Sequence, residues 1–217
     1  MKKDFLLSII IPVYNEEANI SPLLEKLLPI VKQYNYEVVF INDGSTDAST
    51  KEILKHTKNT SVKLVEFNRN FGHQMALSCG YSLAKGDAVI SMDADLQDPP
   101  EIIKEMINKW QEGSMIVYAQ RSERGVDSII KRWSAQRFYS FINMLSDTPI
   151  PQDVGDFRLL DRQVVNYLNA LPEHSRFYRG LVAWGGFPST YIGFRREARH
   201  TGKTHYTFSK MANFALD

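Results

Sequence analysis

The 217-residue sequence contains one cysteine, Cys79, so an internal disulfide framework is excluded and a reducing compartment fits. No run of about 18 apolar residues occurs, so no segment reads as a membrane-spanning helix. A secretory leader is also missing: Met1-Lys2-Lys3-Asp4 opens an apolar stretch of only about eight residues that closes at Pro12. The formal net charge is +1, which says nothing about partners as a total. The first strand-to-helix turn carries no GxGxxG, and GxxxxGK[ST] occurs nowhere, so both usual backbone cradles for phosphate are lacking. The five histidines, His56, His73, His174, His200 and His205, show no HxxxH or HExxH spacing, which argues against zinc.

What is present is an ordinary globular composition, 43% hydrophobic and 24% charged, which excludes disordered and collagen-like classes. The length suits one sizeable core. Apolar strands at 6–13, 37–41, 62–67 and 88–92 alternate with helical spacing at 20–31 after a polar loop at 14–17, after 45, and at 74–85. The second of these helices is expected to be capped by Ser45 or Thr46, and Pro29 is expected to kink or end the first early. In the third, Met75, Ala76, Cys79, Leu83 and Ala84 are expected to face inward. Alternation of this kind predicts an α/β fold with a mostly parallel sheet flanked by helices. Ligands bind beyond the carboxyl ends of such strands, so 12–16, 42–47, 68–73 and 93–98 should line one crevice.

The fourth strand ends in Asp93, Asp95, Gln97 and Asp98 before Pro99-Pro100. Carboxylates at i and i+2 on a turn leaving a sheet can converge, and their repulsion is relieved by a hard cation such as Mg²⁺ or Mn²⁺. A solvated acidic turn is the plainer alternative. Further on, a helix at 101–111, a strand at 115–119 and a helix at 128–145 are expected, the last pairing Ile129, Trp133, Phe138 and Phe141 with Lys131, Arg132 and Arg137. That pattern fits either a buried core helix or one lying in a membrane interface. Residues 154–160 read as a loop entering a strand, Asp161 as a helix cap, Arg158 as a partner for Asp156 or Asp153, and 176–184 as a short helix. The segment 195–210 holds five Lys/Arg (Arg195, Arg196, Arg199, Lys203 and Lys210) against the single acid Glu197. The end of the chain, 213–217, lies inside what reads as an amphipathic helix, as in a truncated chain.

IPVYNEE, INDGSTD, NFGHQMAL, MDADLQDPPE, GDFRLLDR and RFYRG, in this order, resemble the inverting GT-A glycosyltransferases of family 2. Within them the likeness is to the polyprenyl-phosphate glycosyltransferases, which include bactoprenol glucosyltransferases and dolichol-phosphate mannose synthases. The resemblance covers essentially the whole chain and implies a single GT-A domain, with 1–120 binding the nucleotide sugar and 121–217 forming an acceptor-binding, membrane-proximal half with amphipathic helices. It implies that Pro12, Tyr14, Glu16, Asp43 and Asp93 hold the nucleotide sugar, with the Asp43 carboxylate available to the base. Asp95, Gln97 and Asp93 would bind Mg²⁺ or Mn²⁺. Asp156 would stand at the catalytic-base position, although a turn residue after Gly155 is its plainer reading. Arg121, Arg132, Arg199, Lys203 and Thr204 would surround the acceptor phosphate. The implied partners are a UDP-sugar, a polyprenyl phosphate lipid and the membrane surface, with no nucleic acid, and a homo-oligomer stays open. The expected place is the cytoplasmic face of the cell membrane. Family members usually continue into transmembrane helices, and this chain does not.

The leading expectation is transfer of glucose from UDP-glucose to undecaprenyl phosphate. UDP-GlcNAc or GDP-mannose as donor, a catalytically silent nucleotide-sugar-binding scaffold, and a nucleotidyltransferase are the rivals. The last lacks a glycine-rich basic nucleotide loop here.

Overall fold

The computed structural model describes residues 4–121, 154–173 and 176–195. Seven strands form one sheet in the order β3-β2-β1-β4-β6-β5-β7: β1 Leu6–Val13, β2 Asn35–Asn42, β3 Val62–Glu66, β4 Ala88–Ser91, β5 Ile116–Arg121, β6 Val154–Asp161 and β7 Ser189–Phe194. All run the same way except β6, which pairs antiparallel with both β4 and β5. The expected strand at 115–119 is β5, and β6 begins at Val154 itself, so the expected loop at 154–156 is already strand.

The central strands are apolar on both faces because helices cover both. On one face Leu7, Ile9, Ile11 and Val13 of β1 meet α1 (Glu17–Val31), α2 (Ser49–His56) and α4 (Ile103–Gln111, entered through a 3₁₀ turn at Pro100–Ile102). On the other, Ile10, Val39 and Val89 pack with α3 (His73–Leu83), α5 (Arg162–Ala170) and α6 (Tyr178–Trp184).

Three local expectations are corrected. Helix α1 runs through both Pro22 and Pro29 to Val31, because Ile20, Leu23, Leu24, Leu27 and Val31 are all buried and their packing outweighs the lost backbone bonds. Helix α2 starts at Ser49 rather than after Ser45 or Thr46. Those two residues stitch neighbouring loops instead: Ser45 Oγ donates to Asn42 Oδ1 (2.6 Å) and accepts from Asn15 N–H (3.0 Å), while Thr46 N–H donates to Asn15 Oδ1 (2.8 Å). In α3 the buried face is Ala76, Leu77, Gly80 and Tyr81, whereas Met75 and Leu83 are exposed and Cys79 is half-buried. Gly80 sets that face, since a Cβ there would stand 3.1 Å from Ile10 Cβ and hold the helix off β1. The Asp161 cap is as expected, its carboxylate accepting from Gln163 N–H at 2.9 Å. The helix expected at 128–145, with Arg132, and the basic segment bearing Arg199, Lys203 and Thr204 lie outside the described residues.

Candidate active site

β1, β2, β3 and β4 all leave the sheet at one edge, and antiparallel β6 enters there, so 14–16, 43–48, 67–72, 92–99 and 154–156 meet along it. Pro12 is buried in β1 opposite Ile41. Tyr14 and Glu16 follow half-buried, and Glu16 N–H donates to Ser49 Oγ at 3.0 Å. Asp43, 3% exposed, accepts from Phe71 N–H at 2.7 Å and Gly72 N–H at 2.9 Å. It therefore tethers the loop before α3, and each oxygen keeps a lone pair for a further donor. Gly44 makes this contact possible: its φ is +68° and a Cβ would come within 2.4 Å of the Arg69 carbonyl carbon.

The acidic turn is fixed by its own backbone. Leu96 holds φ at +62° with its side chain in the core, an unusual conformation for a branched residue. Across it Asp95 Oδ1 accepts from Gln97 N–H at 3.1 Å, and Asp98 accepts from Asp93 N–H at 3.2 Å. Burial, then the charges of Asp93 and Asp95, push the Asp98 carboxyl up to about 8, with Arg121 partly opposing. Burial pushes the Asp93 carboxyl up as well, with the charge of His73 partly opposing. Among the described residues no group of three or more His, Cys, Asp or Glu side chains is arranged to hold an ion. Magnesium takes one or two protein carboxylates and completes its octahedron with water and substrate phosphate, so two carboxylates and an amide fit a site that a diphosphate would complete.

Asp156 lies across β4 from this turn. It is 4% exposed and ringed by two guanidinium groups and an imidazole: Arg158 pairs with Oδ1, Arg179 reaches Oδ2 at 3.1 Å, and His73 Nε2 reaches Oδ2 at 3.2 Å. Arg158 is fully buried and also donates to the carbonyls of Gly155 (3.1 Å) and Tyr178 (3.3 Å). The Asp156 carbonyl is held too, by Ser91 Oγ at 2.5 Å. Burial alone would raise the Asp156 pKa, but the hydrogen bond from His73 and the charges of Arg158 and Arg179 outweigh it and hold the carboxyl far below the usual range. His73 also stands 3.8 Å from Asp93 Oδ1. Burial would lower its pKa; Asp156 and Asp93 reverse this and raise it.

The structure thus gathers Asp93 and Asp156 around one imidazole and sets Arg121 within electrostatic reach of Asp98. His73 and Arg179 carry no role in the sequence reading. Both sit inside quoted motifs, NFGHQMAL and RFYRG, yet nothing in their spacing relates 73, 156 and 179. The two motifs join directly, since Gln74 Oε1 accepts from Tyr178 N–H at 3.0 Å.

The profile of "Glycosyl transferase family 2" matches residues 8–168, three quarters of the chain and every loop of this edge except Arg179's helix. The chain belongs to glycosyl transferase family 2. It is 46% identical to an uncharacterized glycosyltransferase of Synechocystis sp., over 97% of this chain and 67% of that protein. It is 40% identical to a bactoprenol glucosyl transferase of Shigella phage SfV, over 97% of this chain and 70% of that one. The chain therefore spans about two thirds of the length of these family 2 relatives. Among solved structures, glucosyl-3-phosphoglycerate synthase of Mycobacterium tuberculosis in complex with Mn²⁺ and UDP-glucose superposes with a TM-score of 0.68. That match covers 98% of this chain and 76% of the other at 16% identity, and it establishes a shared GT-A architecture. Among the described residues no helix is long and apolar enough to cross a membrane.

Proposed function

We propose that this family 2 glycosyltransferase moves glucose from UDP-glucose to a polyprenyl phosphate, with inversion, at the cytoplasmic face of a membrane. The observation that carries the proposal is the Asp156 carboxylate, buried yet facing the acidic turn through His73, at the carboxyl edge of the sheet where α/β folds bind ligands. The name of the phage relative, a bactoprenol glucosyl transferase at 40% identity, supports the sugar and the acceptor class.

In this reading residues 1–120 hold the donor and 121–217 the acceptor. Pro12, Tyr14 and Glu16 border the nucleoside, and Asp43 adds a lone pair for the base to its hold on the 71–72 backbone. Asp95, Gln97 and Asp93 would hold Mg²⁺ or Mn²⁺, which when bound offsets the charge growing on the departing diphosphate. Arg121, with Arg132, Arg199, Lys203 and Thr204, would surround the acceptor phosphate. One acceptor oxygen forms the new bond to the anomeric carbon as the bond to the diphosphate breaks, and UDP leaves with that electron pair. A single displacement inverts the centre and needs no nucleophilic carboxylate.

Asp156 acts here as an orienting anion rather than a strong base. Its oxygens are occupied by two arginines and an imidazole, and a phosphate monoester with a second pKa near 6 is already ionised at neutral pH. The test is calorimetric titration with UDP, GDP and UDP-glucose, with Mn²⁺ and with EDTA, for wild type and Asp95→Ala, followed by transfer assays with polyprenyl phosphate. Metal-dependent UDP binding that Asp95→Ala abolishes is expected. A preference for GDP would redirect the donor to GDP-mannose, and nucleotide binding without transfer would favour a silent scaffold.

A further inference from the structure

His73 occupies a place that no other described side chain shares. Its Nε2 lies 3.2 Å from Asp156 Oδ2 and 3.8 Å from Asp93 Oδ1, so one ring nitrogen faces carboxylates from β6 and from the turn after β4. Its donors keep Asp156 ionised, and an ionised carboxylate only accepts, so Nε2 carries the proton and donates to Asp156.

The ring is held from behind. Gly72, at φ +98°, turns the chain into α3, and its N–H and that of Phe71 are fixed by Asp43 at 2.9 and 2.7 Å. The next residue, Gln74, is pinned by Tyr178 N–H, one residue before Arg179. The residues before His73 are therefore held through their backbone to the loop after β2, and the residue after it through its side chain to α6. The three donors to Asp156 are also not equivalent. Arg158 is wholly buried and spends its other bonds on Tyr178 and Gly155 carbonyls, as a packing cation does. The His73 side chain is 30% exposed, so it borders the open edge, as does Asp93 at 38%.

We infer that His73 is a positioning residue for glycosyl transfer, fixing the Asp156 carboxylate relative to the Asp93 end of the acidic turn through one imidazole N–H. The inference rests on the proposed transfer reaction. It makes the distance between the acceptor-side carboxylate and the donor-side turn depend on a side chain from a third element, α3. A misplacement of about 1 Å at such a site costs on the order of 100-fold in rate, so the effect belongs on kcat and not on donor affinity.

The experiment is steady-state kinetics of the full chain with UDP-glucose and polyprenyl phosphate for wild type, His73→Ala, His73→Gln, Asp156→Asn and the double variant His73→Ala/Asp156→Asn. His73→Ala is expected to lower kcat by about 10- to 100-fold with the KM for UDP-glucose within about twofold of wild type. His73→Gln, whose amide N–H reaches where Nε2–H does, should return kcat to within about fivefold of wild type. The double variant should be no slower than Asp156→Asn alone, because His73 acts through that carboxylate. A kcat of His73→Ala within about twofold of wild type overturns the inference. So do multiplicative losses in the double variant, or a fall in melting temperature that accounts for the lost rate. Wild type that transfers from no UDP-sugar sinks the functional reading alone. The imidazole ¹⁵N resonance of His73 then decides: it shifts in Asp156→Asn if the contact is as described, and an unmoved resonance overturns it.

Discussion

At the amino edge of the sheet Glu37 is 4% exposed, and at the carboxyl edge Asp156 is buried to the same 4%. Each is a carboxylate surrounded by donors. Glu37 takes Ser8 Oγ at 2.6 Å, Lys63 Nζ at 2.6 Å and Lys85 N–H at 2.7 Å. Burial would raise its pKa, yet the bonds from Lys63 and Ser8 outweigh it and hold the carboxyl below its usual value, as happens more strongly at Asp156. What separates them is where the donors come from. Ser8 sits opposite Glu37 in the β1–β2 register, Lys63 is the second residue of β3 and Lys85 precedes β4, so all three donors belong to the strands or the turn that enters one. Two donors of Asp156, His73 and Arg179, come from helices, and their side chains are 30% and 33% exposed. A depressed, buried carboxylate is thus no mark of function by itself. Exposure of the partners does not separate the two, since Lys63 is 46% exposed; a donor that also faces a second carboxylate, as His73 faces Asp93, does.

Substitutions at the two edges should separate cleanly. The largest effect is expected for Asp156→Asn, with kcat at least about 100-fold lower, close to 3 kcal/mol of barrier, and UDP binding unchanged by calorimetry. Near-normal turnover would move Asp156 to the same structural role as Glu37. Gly44→Ala should come next, destabilising by about 2 to 3 kcal/mol because its φ of +68° and the Arg69 backbone both resist a Cβ. It should also weaken UDP binding, and a denaturation midpoint equal to wild type would show that the 43–48 and 67–72 loops are not packed as described. Glu37→Ala should cost about 2 kcal/mol in urea denaturation, less than a fully buried pair because Lys63 is half exposed. Its kcat below the unfolding transition should match wild type, and a large kcat loss would erase the contrast between the edges.

The smallest effect is on pH dependence. The Glu37 carboxyl is lowered from an ordinary 4.5, so the stability it contributes is complete above that value and is lost as pH falls through the folded-state pKa below it. Denaturation midpoints of wild type should therefore drop more steeply than those of Glu37→Gln below about pH 4.5. Parallel acid limbs would show that Glu37 titrates alike in both states.

Much of the architecture is readable in one dimension because strand and helix periodicities are local. The runs read as strands at 6–13, 37–41 and 88–92 are mostly apolar because both faces of the sheet are covered, and their order with the helices dictates which loops share an edge. The antiparallel β6 is not legible in this way, since strand direction depends on how the chain returns, not on the residues of the strand. The inward face of α3 was also misjudged: hydropathy favours Met75 and Leu83, while close approach at Gly80 and the Tyr81–Ser91 hydrogen bond of 3.0 Å turn the helix by part of a turn. Pro29 misled for a similar reason, as a buried apolar face kept α1 intact around it.

The sequence by itself determined the α/β layering, the edge at which ligands bind, the acidic turn at 93–98, and the family. These rest on residue spacing and on motifs that are contiguous in the chain. Only the tertiary structure decided that His73 and Arg179 share Asp156, that burial pushes Asp98 up to about 8, and that Asp43 spends its oxygens on the 71–72 backbone. Charge interactions fall off with distance in space and depend on burial, and neither quantity is carried by separation along the chain.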